Sequence, residues 1–202
     1  MIVCLGDSTT AGTPLFKSPV EAPPHGAGDE RSQFAYWLRK ARPDWTVLNH
    51  GVNGERSDEI AARFDRDVLA HAPRVVVIIA GVNDVYQGRS VDYVTTQLGA
   101  IYARAARAGI PVVAGSIVPY NTATPEQNAR MREINEWIRS TGTTGTTGTT
   151  GTRVWFVDTR SAVADPADAD LLRASPDGLH PDIDGYRRMA EALLPAIAAA
   201  AG

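Results

Sequence analysis

Cysteine is all but missing from this chain, with one residue, Cys4, in 202. A single thiol excludes an internal disulfide and any cysteine-rich zinc or iron-sulfur centre, and it suits a reducing compartment. Long apolar runs are missing too. The longest strongly apolar stretch, Val75 to Ala80, is far shorter than the roughly 20 residues that cross a bilayer as a helix. The residues after Met1 lack the basic segment and apolar run of a secretory leader, so the expected location is cytoplasmic and no membrane partner is expected. Neither sign of charge dominates: 20 Lys and Arg stand against 23 Asp and Glu, for a formal charge of -3. That balance gives no electrostatic footprint for nucleic acid. What remains is 44% hydrophobic and 21% charged, the make-up of one globular domain spanning residues 1–202.

Five short apolar runs read as buried strands: Ile2 to Leu5, Trp45 to Leu48, Val75 to Ala80, Val112 to Ile117 and Val154 to Val157. Helical spacing fills the gaps between them, and this alternation predicts an α/β fold whose parallel sheet is covered on both faces. One helix is expected from an N-cap at Ser57 to about His71, with Ile60, Phe64 and Val68 on one face. A second starts after Ser90, carries Val94, Leu98, Ile101, Tyr102 and Ala105, and stops at Gly109. Thr124, Pro125 and Gln127 form a capping box ahead of Met131, Ile134 and Ile138. The last, from about Ile183, carries Tyr186, Ala190, Leu193, Leu194 and Ile197. Two segments break the pattern. The proline-rich stretch 14–30 is expected to be a loop that shapes the substrate entrance, and the Thr-Gly repeat of 141–152 reads as a flexible insertion.

The residues suited to chemistry lie at the ends of these elements. Ser8 follows the first strand in Gly6-Asp7-Ser8-Thr9-Thr10, where a serine either caps a helix or faces a ligand. Asp177-Gly178-Leu179-His180 places a carboxylate three residues before an imidazole, either as a cap beside a surface histidine or as a working pair. A serine hydroxyl needs a base to take its proton, and a carboxylate can fix the imidazole tautomer. Acyl transfer also needs donors aimed at a developing oxyanion. Gly54, after the second strand, can present its N-H, and Asn83, after the third, its side-chain amide. The N-H of Ser8 makes a third. Each of these motifs alone also fits an ordinary turn.

Taken in order, the four motifs resemble those of the SGNH hydrolases of the GDSL esterase/lipase group: Gly6-Asp7-Ser8, Asn49 to Gly54, Gly81 to Asp84, and Asp177 to His180. The resemblance implies a flavodoxin-like three-layer α/β/α sandwich on the five-stranded parallel sheet. It also implies a catalytic triad of Ser8 as nucleophile, His180 as base and Asp177 as its orienting partner. Ser8 N-H, Gly54 N-H and Asn83 would form the oxyanion hole, and no metal or cofactor is implied. Thr9 stands where the group's usual name has leucine. The expected activity is hydrolysis of a small carboxylic ester, with that small molecule as partner and neither nucleic acid nor membrane. An acyltransferase would use the same acyl-enzyme. A phosphate- or flavin-binding module is the alternative suggested by the hydroxyl-rich run Ser8 to Thr13. Among other polar residues, Asp7 and Asp84 are expected to bond amides and His50 and His71 to be structural or exposed. His25 is expected in the solvated entrance loop. Cys4, Phe34 and Trp37 are expected in the core.

Overall fold

The computed structural model describes residues 1–142 and 154–202. Its strands are β1 (Ile2–Gly6), β2 (Phe16–Lys17), β3 (Ala27–Gly28), β4 (Val47–Gly51), β5 (Val75–Ile79), β6 (Val112–Gly115) and β7 (Val154–Val157). The helices are α1 (Ser8–Ala11), α2 (Phe34–Ala41), α3 (Ser57–Ala62), α4 (Phe64–Asp67), α5 (Val82–Tyr86), α6 (Val91–Arg107), α7 (Pro125–Thr141), α8 (Thr159–Val163) and α9 (Ile183–Ala201). Five strands pair in parallel in the order β4-β1-β5-β6-β7. Side chains alternate across a strand, and both sets are buried here. Val3, Leu5, Val76, Ile78, Val112 and Ala114 pack under α3, α4, α6 and α7. Ile2, Cys4, Val75, Val77, Ile79 and Val113 pack under α2, α8 and α9. This is the three-layer sandwich, and two-sided burial explains why the strands read as continuous apolar runs.

From β1 the chain crosses to β4 on one side, then returns past β1 to build β5, β6 and β7 on the other. The reversal makes the carboxyl ends of β1 and β5 a topological switch point, where open α/β sheets form a crevice. Ser8 follows β1, and Asn83 follows β5 by four residues.

The caps of α6 and α7 form as their sequences dictate. Ser90 Oγ accepts from Tyr93 N-H, Thr124 and Gln127 bond reciprocally, and Gly109 takes φ +68° beyond the end of α6. The single helix expected over 57–71 is instead broken into α3, α4 and a 3-10 turn at Leu69–His71. The interruption falls at Arg63, whose backbone leaves the helical region and whose guanidinium turns inward. It donates to the carbonyls of Gly6 and His50 at 2.8 Å and to Asp67 and Glu55 at 2.6 Å. Ser57 is the first helical residue rather than the cap, which is Arg56.

The 14–30 segment is not wholly irregular: β2 and β3 pair antiparallel within it, and Phe16 is buried. Ser18 Oγ donates to Gly51 O at 2.6 Å and Glu21 accepts from Asn53 N-H at 2.9 Å. The segment thus props the turn after β4 from outside. Of the Thr-Gly tract, residues 143–152 lie outside the described residues, and so does the reading of that tract as an insertion. No described helix is long and apolar enough to cross a membrane.

Candidate active site

The turn after β1 is capped by Asp7, not by Ser8. Asp7 has extended backbone angles, and its Oδ1 accepts from Thr9 N-H at 2.9 Å. The capping role that a serine could have filled is therefore taken, which leaves Ser8 Oγ free for another partner. That partner is His180 Nε2, at 2.8 Å and 172 positions away in sequence. His180 Nδ1 in turn lies 2.7 Å from Asp177 Oδ2.

The turn carrying His180 and Asp177 is tied down on several sides. Asp177 Oδ1 accepts from the N-H groups of Leu179 and His180, both at 2.9 Å. Ser175 Oγ donates to His180 O at 2.6 Å and accepts from Gly178 N-H at 2.8 Å. Asp182, not Asp177, caps α9, accepting from Gly185 N-H. Burial by itself would raise the Asp177 carboxyl, but the imidazole and the two amides outweigh it and hold the group below the usual carboxylate range. An ionised Asp177 favours the tautomer with its proton on Nδ1, so Nε2 is left as an acceptor for the Ser8 hydroxyl. His180 is only 8% exposed.

The third and fourth expected residues come together through α5. Asn83 Nδ2 donates to Glu55 O at 2.9 Å, which fixes the residue just after Gly54 against α5. Asp84 is buried and accepts from Ser57 N-H at 2.8 Å and Ser57 Oγ at 2.7 Å, closing a second link between α5 and α3. Burial raises the Asp84 carboxyl, opposed by those two bonds. Gly54 sits just before both links at φ +80°, a conformation that side chains disfavour, although a Cβ there would meet nothing within 4 Å. Among the described residues the N-H groups of Ser8 and Gly54 have no hydrogen-bond acceptor. Asn83 Nδ2 uses one of its two hydrogens on Glu55, leaving the other.

These residues border a cleft of about 190 Å³ lined by Ser8, Thr9, Asn53, Val82, Asn83, Tyr86, Tyr120, Leu179 and His180. Asp177 stands behind the imidazole, and Gly54 is adjacent to the lining residue Asn53. No residue of 14–30 lines this cleft, so the segment expected to form an entrance acts here as a support for the Asn53 turn. His25 is exposed within it. Sequence reasoning missed Asn53, Val82, Tyr86, Tyr120 and Leu179. Asn53, Val82 and Leu179 each adjoin or fall within a quoted motif, so proximity was a usable signal for them, whereas Tyr120 carries none.

The residues set aside lie elsewhere. Asp7 is wholly buried, which pushes its carboxyl up to about 7. Cys4 is buried between Asn49 and Val77 in the sheet register, and burial pushes its thiol up to about 12. His50 and His71 pack against one another, ring centroids 4.9 Å apart. Phe34 is in the core, while Trp37 is only partly covered and donates Nε1-H to Arg31 O.

An acetylxylan esterase from Geobacillus stearothermophilus is 26% identical over 157 residues, 73% of this chain and 70% of that protein. Among solved structures, a member of the lipolytic protein G-D-S-L family from Veillonella parvula superimposes with a TM-score of 0.74 at 20% identity, covering 98% of this chain and 97% of that one. A catalytic mutant of an acetylxylan esterase from Geobacillus stearothermophilus gives 0.71 at 20% identity, covering 97% and 93%. These two likenesses concern the fold. The model of the GDSL-like lipase/acylhydrolase family matches residues 4–188, so the chain belongs to that family of carboxylic ester hydrolases.

Proposed function

We propose that the protein hydrolyses a small carboxylic ester through an acyl-enzyme on Ser8. The observation that carries this reading is the unbroken sequence of contacts at the cleft, Ser8 Oγ to His180 Nε2 at 2.8 Å and His180 Nδ1 to Asp177 Oδ2 at 2.7 Å. As Oγ attacks the carbonyl carbon, its proton passes to Nε2, and Asp177 stabilises the imidazolium that forms. The carbonyl oxygen becomes an oxyanion directed at Ser8 N-H, Gly54 N-H and the remaining hydrogen of Asn83 Nδ2. When the tetrahedral intermediate collapses, the carbon-oxygen bond to the alcohol breaks and Nε2 returns the proton to that alcohol. Water then gives its proton to Nε2 and its oxygen to the acyl carbon, which releases the acid and restores Ser8.

A cleft of about 190 Å³ suits a short acyl group, and the acetylxylan esterase relative supports the same size class. The test is labelling by a fluorophosphonate together with turnover of phenyl acetate. Wild type is expected to take one label on Ser8, and Ser8→Ala to stay folded, take none and lose roughly 10³-fold or more in kcat. Turnover retained in Ser8→Ala would refute the assignment.

A further inference from the structure

The wall of the cleft holds a polar atom that the proposed chemistry does not use. Tyr120 is 2% exposed and lines the cleft, and its hydroxyl has no hydrogen-bond partner among the described residues. A buried hydroxyl without a partner is costly, and the residue that carries it borders the cleft. Beside it stands Tyr86, ring centroids 6.1 Å apart, which is 63% exposed and also lines the cleft. An exposed aromatic face next to a buried phenol is an amphipathic pair. The ring covers apolar C-H faces and the hydroxyl answers oxygen.

Tyr120 can be assigned to one side of the scissile bond, and Tyr86, carried by the same α5 as Asn83, joins it there through its ring against Tyr120. The backbone after Tyr120 is tied to the histidine turn, because Asn121 N-H donates to Gly178 O at 2.8 Å, and Asn121 Oδ1 accepts from Leu172 N-H. His180 delivers the proton to the departing alcohol in the acyl-enzyme scheme, so the segment bound to its turn flanks that alcohol. The oxyanion donors, by contrast, come from the β1, β4 and β5 ends.

We propose that Tyr120 and Tyr86 together select the leaving group, favouring a polyhydroxylated ring such as a pyranoside, with Tyr86 against its face and the Tyr120 hydroxyl bonded to a hydroxyl or ring oxygen. The proposal rests on the acyl-enzyme reading and adds the alcohol to it. Neither tyrosine touches the bonds that break, so both are specificity residues.

The experiment compares kcat/KM for three acetates that share one acyl-enzyme: a monoacetylated methyl pyranoside, cyclohexyl acetate and phenyl acetate. Since kcat/KM covers only the steps through acylation and the acyl group is the same in all three, the variant-to-wild-type ratio for each acetate reports contacts on the alcohol side. Tyr120→Phe is expected to lower the pyranoside value by about three- to tenfold, the worth of one neutral hydrogen bond, and to leave cyclohexyl acetate unchanged. Tyr86→Ala is expected to lower pyranoside and cyclohexyl acetate together. The melting temperature of Tyr120→Phe should equal or exceed that of wild type, since no protein partner is lost. Equal effects of Tyr120→Phe on all three acetates, or a fall in its melting temperature, would overturn the proposal. Loss of phenyl acetate turnover in Ser8→Ala remains a separate result, so the acyl-enzyme reading can stand when this one falls.

Discussion

The carboxylate beside Ser8 uses its two oxygens differently. Asp7 Oδ1 caps α1 through Thr9, whereas Oδ2 is buried with no hydrogen-bond partner among the described residues. Burial dominates, the Thr9 amide and Arg63 oppose it, and nearby Asp84 adds to it, so the group sits at about 7 instead of the ordinary 3.8. A raised carboxyl means that the folded state holds its proton in a range where the unfolded state has lost it. Its contribution to stability is therefore fully present below about 3.8 and lost as pH rises through about 7. Asp7→Asn keeps an accepting oxygen for the cap and removes this titration. Its stability relative to wild type should climb between those two values and level off above them, as urea unfolding at a series of pH values would show; a constant offset would disprove the titration. Asn83 makes a prediction of another kind. Asn83→Ala should lower kcat by about 10² to 10³ with little change in KM if its amide meets charge only in the transition state. A change confined to KM would move Asn83 to ground-state binding. That Ser8, His180 and Asp177 meet was legible because the nucleophile, base and orienting acid proposed for them admit few residue types. Asp7 was expected to bond a turn amide and does; which of the two neighbours takes the N-cap position was not legible, since serine and aspartate cap helices about equally well.

At the scale of elements, two short links decide where the turn between β4 and α3 sits. Asn83 holds Glu55 O, and Asp84 holds both the amide and the hydroxyl of Ser57. Ser57→Ala removes the 2.7 Å hydroxyl bond from a buried carboxylate, which should cost about 1.5 to 3 kcal/mol in urea unfolding. The amide link survives, so the variant should fold, with a lowered kcat because the Gly54 turn is held less firmly. An unfolding midpoint equal to that of wild type would show that Asp84 finds another partner. Arg63 explains why a helix expected to be continuous is not. Ile60, Phe64 and Val68 are all fully buried, as their spacing requires, but periodicity reports which face is covered, not whether the backbone between stays helical. The demand that breaks it comes from Gly6 and His50 carbonyls contributed by other strands, which no local window contains.

Over the whole molecule, the site exists because a doubly wound sheet brings four chain segments to one edge. The central strands β1, β5 and β6 were legible as apolar runs buried on both faces, whereas the edge strand β4 is half-exposed on one face and runs over Val47–Gly51, beyond the apolar run Trp45 to Leu48 expected for it; the order of the motifs at the strand ends was legible as well. Tyr120 was not, because its importance lies in which cleft it borders and in a hydroxyl left unpartnered, and neither leaves a spacing in the sequence. The last segment to arrive is the Asp177–His180 turn, which α9 anchors with Tyr186, Met189, Leu193 and Ile197, all fully buried. Tyr186 also donates its hydroxyl to Thr13 O at 2.9 Å, just beyond α1. Removing buried methyl groups from this anchor and from the central sheet should therefore have different consequences. Leu193→Ala and Ile78→Ala should each cost about 2 to 5 kcal/mol. Ile78 lies in β5 at the middle of the sheet, so its loss weakens everything at once, and turnover and far-UV circular dichroism should fall at the same urea concentration. In Leu193→Ala the docking of α9 loosens locally, as elements on the flank of a core do at lower free energy than the core itself. His180 then drifts from Ser8 before the sheet melts, and turnover should fall at lower urea than the dichroism signal. Coincident curves in both variants would mean that α9 and the sheet unfold as one unit, and that the position of His180 is as stable as the fold itself.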